Sequence, residues 1–392
     1  MRESRAWPRG VTAAVMATAL LFATGCRVVG APGSPDHASP TDPPIHTENI
    51  TKVDERVITR GADSWTALLY RNDALHCGRP GNFTFAIIEP KGDPLGEAPL
   101  WVYLHGGGIG YYNDETPTRY IGIESENDEE SLDDLLRVTG IRSGRDTLIA
   151  RRLNEGWRVL VPSMCDHDLH AGEGTTYPNN PNYGAAGDTV DGLLANEAAL
   201  TWVTEHRETT WVVIHGTSAG SVGAFALSYA LHEQGIDVNA AILDAYLITP
   251  RLLPYMRAGV TPQVRKNADF DYHQVIAKVG RFADVGDAGV IPERVIAEND
   301  FRAVPLLDVV GDQDQHCAGE IAPFPETNGA NNCVYVHAGF AAAVDAQTDS
   351  PHAHLVVPGG GHTTTKKSGT VHDQVDAWLE KILTPDAPQP FG

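Results

Sequence analysis

Trp211-Val212-Val213-Ile214-His215-Gly216-Thr217-Ser218-Ala219-Gly220 constrains the fold more than any other part of this 392-residue chain. An apolar, β-branched run ends in Gly-Thr-Ser-Ala-Gly, and a helix-like stretch over residues 219–231 follows at once. A G-x-S-x-G sequence between strand and helix is a sharp turn that lifts a serine hydroxyl clear of a sheet. The turn forces the serine into a strained backbone geometry. A β-carbon at either flanking glycine would collide with the adjoining strand or helix. Ser218 is therefore the candidate nucleophile, at the positive end of a helix.

Two further segments supply partners. A buried strand over residues 100–104 runs into His105-Gly106-Gly107-Gly108. Glycines there let backbone N–H groups approach a developing oxyanion with no side chain in the way. Gly107 and Gly108 are the candidate donors, together with the N–H of Ala219, the residue after the nucleophile. Near the C-terminus, residues 354–362 read as a short strand, a glycine turn and a histidine. A base that must reach Ser218 belongs on such a loop, which favours His362 over His352, His354 or His372. Between them, residues 304–314 form a strand followed by a loop with two carboxylates, Asp312 and Asp314; Asp308 is expected inside the strand, pointing away.

The remaining pattern is that of an α/β protein. Residues 53–60, 65–70 and 83–88 suggest an opening antiparallel set. Short apolar runs at 100–104, 159–161, 211–215, 241–243, 306–310 and 355–357 then alternate with helical stretches, which implies a mostly parallel sheet with helices on both faces. Val371, Val375, Trp378, Leu379 and Ile382 share one face of a final helix. Gly235 is a plausible stop for the helix after the turn. Insertions are expected at about 111–149 and 248–303, the second as a lid or cap.

Formal charge is −22. That balance argues against nucleic acid, which needs a basic face, and against adhesion to anionic lipid. The acidic run over 124–134 reads as a solvated loop and helix start. Asp166-His167-Asp168-Leu169-His170 packs metal-ligand residue types together, but alternate loop positions rarely converge without further ligands. No metal and no cofactor is expected; Asp168 and His170 are expected at the mouth of the site.

Residues 1–25 have the form of an export signal, with Arg2, Arg5 and Arg9 ahead of an apolar run too short to span a membrane comfortably. Ala23-Thr24-Gly25-Cys26 resembles a bacterial lipobox, so Cys26 is the expected lipidation site. Residues 26–48 are then a flexible tether and 49–392 one catalytic domain. The expectation is a lipid-anchored cell-envelope protein, otherwise a secreted one, with the membrane touched only through the anchor. Four cysteines remain beyond Cys26, and an even number in an exported chain suggests two disulfides. Cys317–Cys333 is the expected local pair and Cys77–Cys165 the other.

The ordered set His105-Gly106-Gly107-Gly108, Gly216-Thr217-Ser218-Ala219-Gly220, Gly311-x-x-Asp314 and Gly361-His362 resembles the α/β-hydrolase superfamily. That resemblance implies a Ser218–His362–Asp314 triad in that family's chain order, with Asp314, three residues after Gly311, as the acid and Asp312 its competitor. Val161-Pro162-Ser163-Met164-Cys165-Asp166-His167-Asp168-Leu169-His170-Ala171-Gly172 is similar to the P-x-x-C-x-x-D-x-x-x-G loop of the pectin acetylesterase/Notum family. Its members are extracellular carboxylic ester hydrolases, which implies a small-molecule or polysaccharide ester as substrate. The continuation Ile109-Gly110-Tyr111 departs from that family, which usually has Trp and Cys there. Hormone-sensitive-lipase-like carboxylesterases share both glycine motifs. A peptidase or amidase on the same fold, and a non-catalytic binding protein, are the other classes left open; the latter typically lose the serine or histidine.

Overall fold

The computed structural model describes residues 45–384 except 78–80, 91, 93–94, 108–128, 144–145, 166–167, 174, 177–188, 247, 252–290, 300–303, 315–331, 348 and 367–368. The leader, Cys26, Gly108, Cys317 and much of both expected insertions, the lid included, lie outside the described residues.

Nine strands form one sheet among the described residues. They are β1 (Ile50–Arg60), β2 (Asp63–His76), β3 (Asn82–Glu89), β4 (Ala98–Leu104), β5 (Arg158–Pro162), β6 (Thr209–Thr217), β7 (Ala240–Asp244), β8 (Leu306–Gly311) and β9 (Ala353–Val357). Their order is β1-β2-β3-β5-β4-β6-β7-β8-β9. The first three strands and the β3–β5 pair are antiparallel, and every pair from β5 onward is parallel. The crossover at β4/β5 and the parallel run after it are those of the α/β-hydrolase fold, with β1 added at the antiparallel edge. Each apolar run expected to be a strand is one. β4 through β8 are buried along nearly their whole length, as parallel strands covered on both faces must be.

Helices close both faces: α1 (Leu132–Thr139), α2 (Leu148–Asn154), α3 (Gly192–His206), α4 (Ala219–Glu233), α5 (Pro292–Asn299), α6 (Asn332–Asp345) and α7 (Thr370–Ile382). One core unites α3, α4 and α5 with Leu100, Val102, Leu104, Val212 and Ile214. The other unites α1, α2 and α7 with Trp101, Tyr103, Val159, Val161 and Val213. Alternate residues of one strand thus feed opposite cores. α1 falls within the first expected insertion, yet Leu132, Leu135 and Leu136 are core residues. It begins where the acidic run ends: Ser131 caps it, and Asp134 completes a capping box. α4 is buried all round from Ala219 to Leu231, as its run of small and apolar residues requires. It ends at Glu233, and Gly235 follows at φ +76°.

Arg158 and Glu89 form an ion pair that is almost wholly buried, with Nε to Oε2 at 2.8 Å, and Arg207 takes the other carboxylate oxygen at 2.8 Å. Neither charge is left unpaired, the condition under which burial is tolerated. The expected Cys77–Cys165 disulfide is present and joins residues 88 apart in sequence. In the chain-entropy model a loop of that length contributes about 4–5 kcal/mol. The Cys77→Ala/Cys165→Ala double variant is accordingly expected to melt several degrees below the parent in calorimetry. An unchanged midpoint would show that the link adds no stability.

Candidate active site

The turn after β6 carries the strain its sequence implies. Ser218 has φ +55° and ψ −119°, and it immediately precedes α4. Such a backbone in a residue other than glycine costs about 1–3 kcal/mol. A β-carbon on Gly216 would lie 1.9 Å from the Gly220 carbonyl oxygen. One on Gly220 would lie 2.0 Å from that of Leu104. Both glycines are thus required by close backbone approach. Gly223 is packed too, but against the loop before α3 rather than the sheet: its β-carbon would meet that of His170 at 2.4 Å.

The glycine loop after β4 abuts the same turn. Leu104 pairs in register with Gly216. A β-carbon on Gly106 would sit 2.8 Å from the Thr217 carbonyl oxygen and 2.9 Å from the Ser218 Cβ. The Gly106 N–H donates to Thr217 Oγ1 at 3.2 Å, and the Tyr103 hydroxyl lies 3.1 Å from that oxygen. Thr217 thus pins the loop carrying Gly107 to the serine turn, although it is only the variable position of the motif. Ala219 is the first residue of α4, where helix N–H groups lack intrahelical partners. Gly107 is described and partly buried.

Asp168 and His170 do not line a mouth; both are buried. Asp168 accepts backbone N–H groups of His170, Gly172 and Gly192 at 2.8–2.9 Å. Burial pushes its carboxyl up to about 6, against the pull of those donors. His170 Nε2 lies 3.0 Å from the carbonyl oxygen of His105. The loop therefore buttresses the glycine segment from beneath. Spacing alone misplaced these residues because a carboxylate can serve three backbone donors of its own loop and a helix start. Asp166 and His167 lie outside the described residues.

The candidate acid and base, Asp314 and His362, meet across two adjoining loops. His362 Nδ1 lies 2.8 Å from Asp314 Oδ2, with Asp314 fully buried and the imidazole slightly exposed. The loops are zipped by backbone: Asp312 N–H donates to Val357 O at 3.2 Å, and Gln313 N–H to Gly360 O at 2.8 Å. Asp312, the competing acid, instead accepts the Gly359 N–H at 2.7 Å. Cys333 is disulfide-bonded, and its Sγ lies 3.4 Å from the Asp314 carbonyl oxygen; Cys317, its expected partner, lies outside the described residues.

Sequence reasoning missed Asp244, at the end of β7. Its buried carboxylate accepts the Thr364 and Thr365 N–H groups, at 3.0 and 2.8 Å, and both threonine hydroxyls. Its own carbonyl accepts the Ser218 N–H at 2.8 Å. Burial pushes its carboxyl up, while the threonine donors and His362 pull it down. An aspartate closing an apolar strand next to the serine strand was the available signal. His215 is a buried strand residue, as expected. Its Nε2 lies 2.9 Å from Thr365 Oγ1, and burial lowers it to about 3, so it stays neutral.

Asp308 also lies inside its strand as expected, but it is not idle. It accepts from His337 Nδ1 and His354 Nδ1, each at 2.8 Å. Burial acts to raise its carboxyl, yet the two imidazoles bring it down to about 2. His354 is thereby occupied away from Ser218. Among the described residues, no cluster of three or more His, Cys, Asp or Glu could hold a metal ion.

No protein-family model matches this sequence, and no curated protein matches it. Solved structures similar to it include an S-formylglutathione hydrolase from Agrobacterium tumefaciens, at 12% identity and TM-score 0.46, covering 85% of this chain and 99% of that one. Acetyl xylan esterase 1 from Thermoanaerobacterium sp. JW/SL YS485 is 14% identical, with TM-score 0.44, over 86% of this chain and 88% of that one. An esterase from Rhizomucor miehei is 14% identical, with TM-score 0.41, over 85% and 84%. The strand order described above sets the fold.

Proposed function

We propose that this chain is an extracytoplasmic serine hydrolase of carboxylic esters, using Ser218, His362 and Asp314, and that it removes acetyl or other short acyl groups. The observation that carries the reading is the buried Asp314 carboxylate 2.8 Å from His362 Nδ1. Those residues stand on loops at the same end of the sheet as a serine held at φ +55°. Asp314 keeps the imidazole proton on Nδ1, so Nε2 is the nitrogen that takes the Ser218 proton. Ser218 Oγ attacks the ester carbonyl. The N–H groups of Gly107, Gly108 and Ala219 take the oxyanion. His362 returns the proton to the departing alcohol, and water, activated by the same imidazole, then cleaves the acyl-enzyme. Polysaccharide acetyl esters are the proposed natural class, reached by a domain tethered through lipid on Cys26.

Fluorophosphonate labelling of the exported domain, with mass spectrometry of the labelled peptide, tests this reading. It is run beside p-nitrophenyl acetate, butyrate and octanoate. Labelling at Ser218 with turnover of the short esters is expected; no labelling and no turnover in folded, oxidised protein would overturn it. Asp314→Asn is expected to lower kcat about 10⁴-fold, because an amide favours the wrong imidazole tautomer. Asp312→Asn, whose carboxylate holds only the Gly359 N–H, should cost far less. The reverse ranking would reassign the acid.

A further inference from the structure

Asp244 occupies a place in this site that the triad does not account for. It pairs in register with Thr217 across β6 and β7, so its side chain emerges beside the serine turn. It is completely buried, and each of its four partners is a donor: Thr364 N–H, Thr364 Oγ1, Thr365 N–H and Thr365 Oγ1. Two backbone N–H groups that can only donate, and two hydroxyls placed to donate, suit a carboxylate. Thr365 Oγ1 also lies 2.9 Å from Nε2 of the buried His215. The backbone around this node is held in left-handed conformations at Ser218, Ala245 and Thr363, with φ of +55°, +62° and +55°. Such residues persist only where their surroundings over-determine them.

We propose that Asp244 is a positioning residue that sets the distance between the Ser218 hydroxyl and the His362 imidazole, and that its carboxylate adds to Asp314 in favouring the imidazolium. One end of this residue grips the serine turn through its carbonyl, and the other grips the two residues that follow Thr363. Serine and base are therefore referenced to a single residue rather than to two independent loops. The inference rests on the Ser218–His362 reading above. The charged and titratable groups around the node are Asp314 and His362 on the zipped loops, His215 on β6, and Lys366 and His372 beyond the base loop; His372 Nε2 lies 3.0 Å from the Thr365 carbonyl oxygen.

The test uses the full exported chain and the variants Asp244→Asn and Thr365→Val. For Asp244→Asn, kcat for p-nitrophenyl acetate is expected to fall about 10²-fold with KM little changed, the scale of a small misplacement of reacting groups. The acid limb of its kcat/KM profile should move to lower pH, since a buried negative charge near the imidazole is gone. Thr365→Val keeps the charge and loses the hydroxyl's contacts with Asp244 and His215. It should lower kcat about tenfold without moving the acid limb, and it serves as the deciding variant if Asp244→Asn does not fold. The distance from Ser218 Oγ to His362 Nε2, read from crystal structures of the parent and both variants, is expected to lengthen in each variant. That distance needs no turnover, so an inactive parent would sink the esterase reading while the structures still decide this one. Activity within twofold of the parent in both variants, or an unchanged Ser218–His362 distance, would overturn the proposal.

Discussion

Ser218→Ala is expected to lower kcat for short esters by about 10⁵- to 10⁶-fold, the scale seen when a serine nucleophile is removed from a triad. The melting temperature should stay essentially where it is. Ser218 contributes to the fold through its backbone: its N–H bonds Asp244 O, and its carbonyl receives the Ser221 N–H at 2.9 Å. Alanine keeps both bonds and meets the same left-handed backbone at no greater steric cost. Residual turnover near parental levels would mean that another group attacks the ester. Lost turnover with a lowered melting temperature would mean that the hydroxyl is structural.

Gly220→Ala is expected to fail one step earlier, in folding. Its β-carbon would lie 2.0 Å from the Leu104 carbonyl oxygen and 2.8 Å from that of His105. Both oxygens belong to backbone, so no side chain can swing away to make room. α4 would have to lift from β4, opening a core that is buried from Ala219 to Leu231. A cost above about 4 kcal/mol follows from overpacking of this kind, read as loss of soluble protein or a melting temperature lowered by ten degrees or more. Gly235→Ala is the comparison. Its φ is +76°, but nothing lies within 4 Å of the added carbon, so only backbone strain of about 1 kcal/mol remains. Equal behaviour of the two variants would show that the close packing of α4 on β4 does not constrain the chain.

The parts of this molecule that were readable in sequence are those where local pattern and tertiary role coincide. An apolar β-branched run such as 211–215 must be a covered strand, and glycines at 216 and 220 have no other use between strand and helix. The nine strands and the turn were legible for that reason. Asp314 could be separated from Asp312 only by seeing which carboxylate reaches His362 and which is consumed by Gly359. The roles of Asp244 and Thr217 did not show in local pattern because their partners lie more than a hundred residues away in sequence, at Thr364 and Thr365 and at Gly106. Asp168 and His170 were misjudged for the opposite reason. A cluster of polar residues suggests exposure, yet here backbone donors close at hand allow full burial.

The backbone bonds that join the turn at 312–314 to the turn at 357–361 make the two a single unit of inheritance. A residue gained or lost in either turn would shift every crossing bond and carry Asp314 out of reach of His362. Lengths there can change only together. Descendants of this chain are thus expected to diversify by exchanging sequence elsewhere, while these two turns pass on as a matched pair.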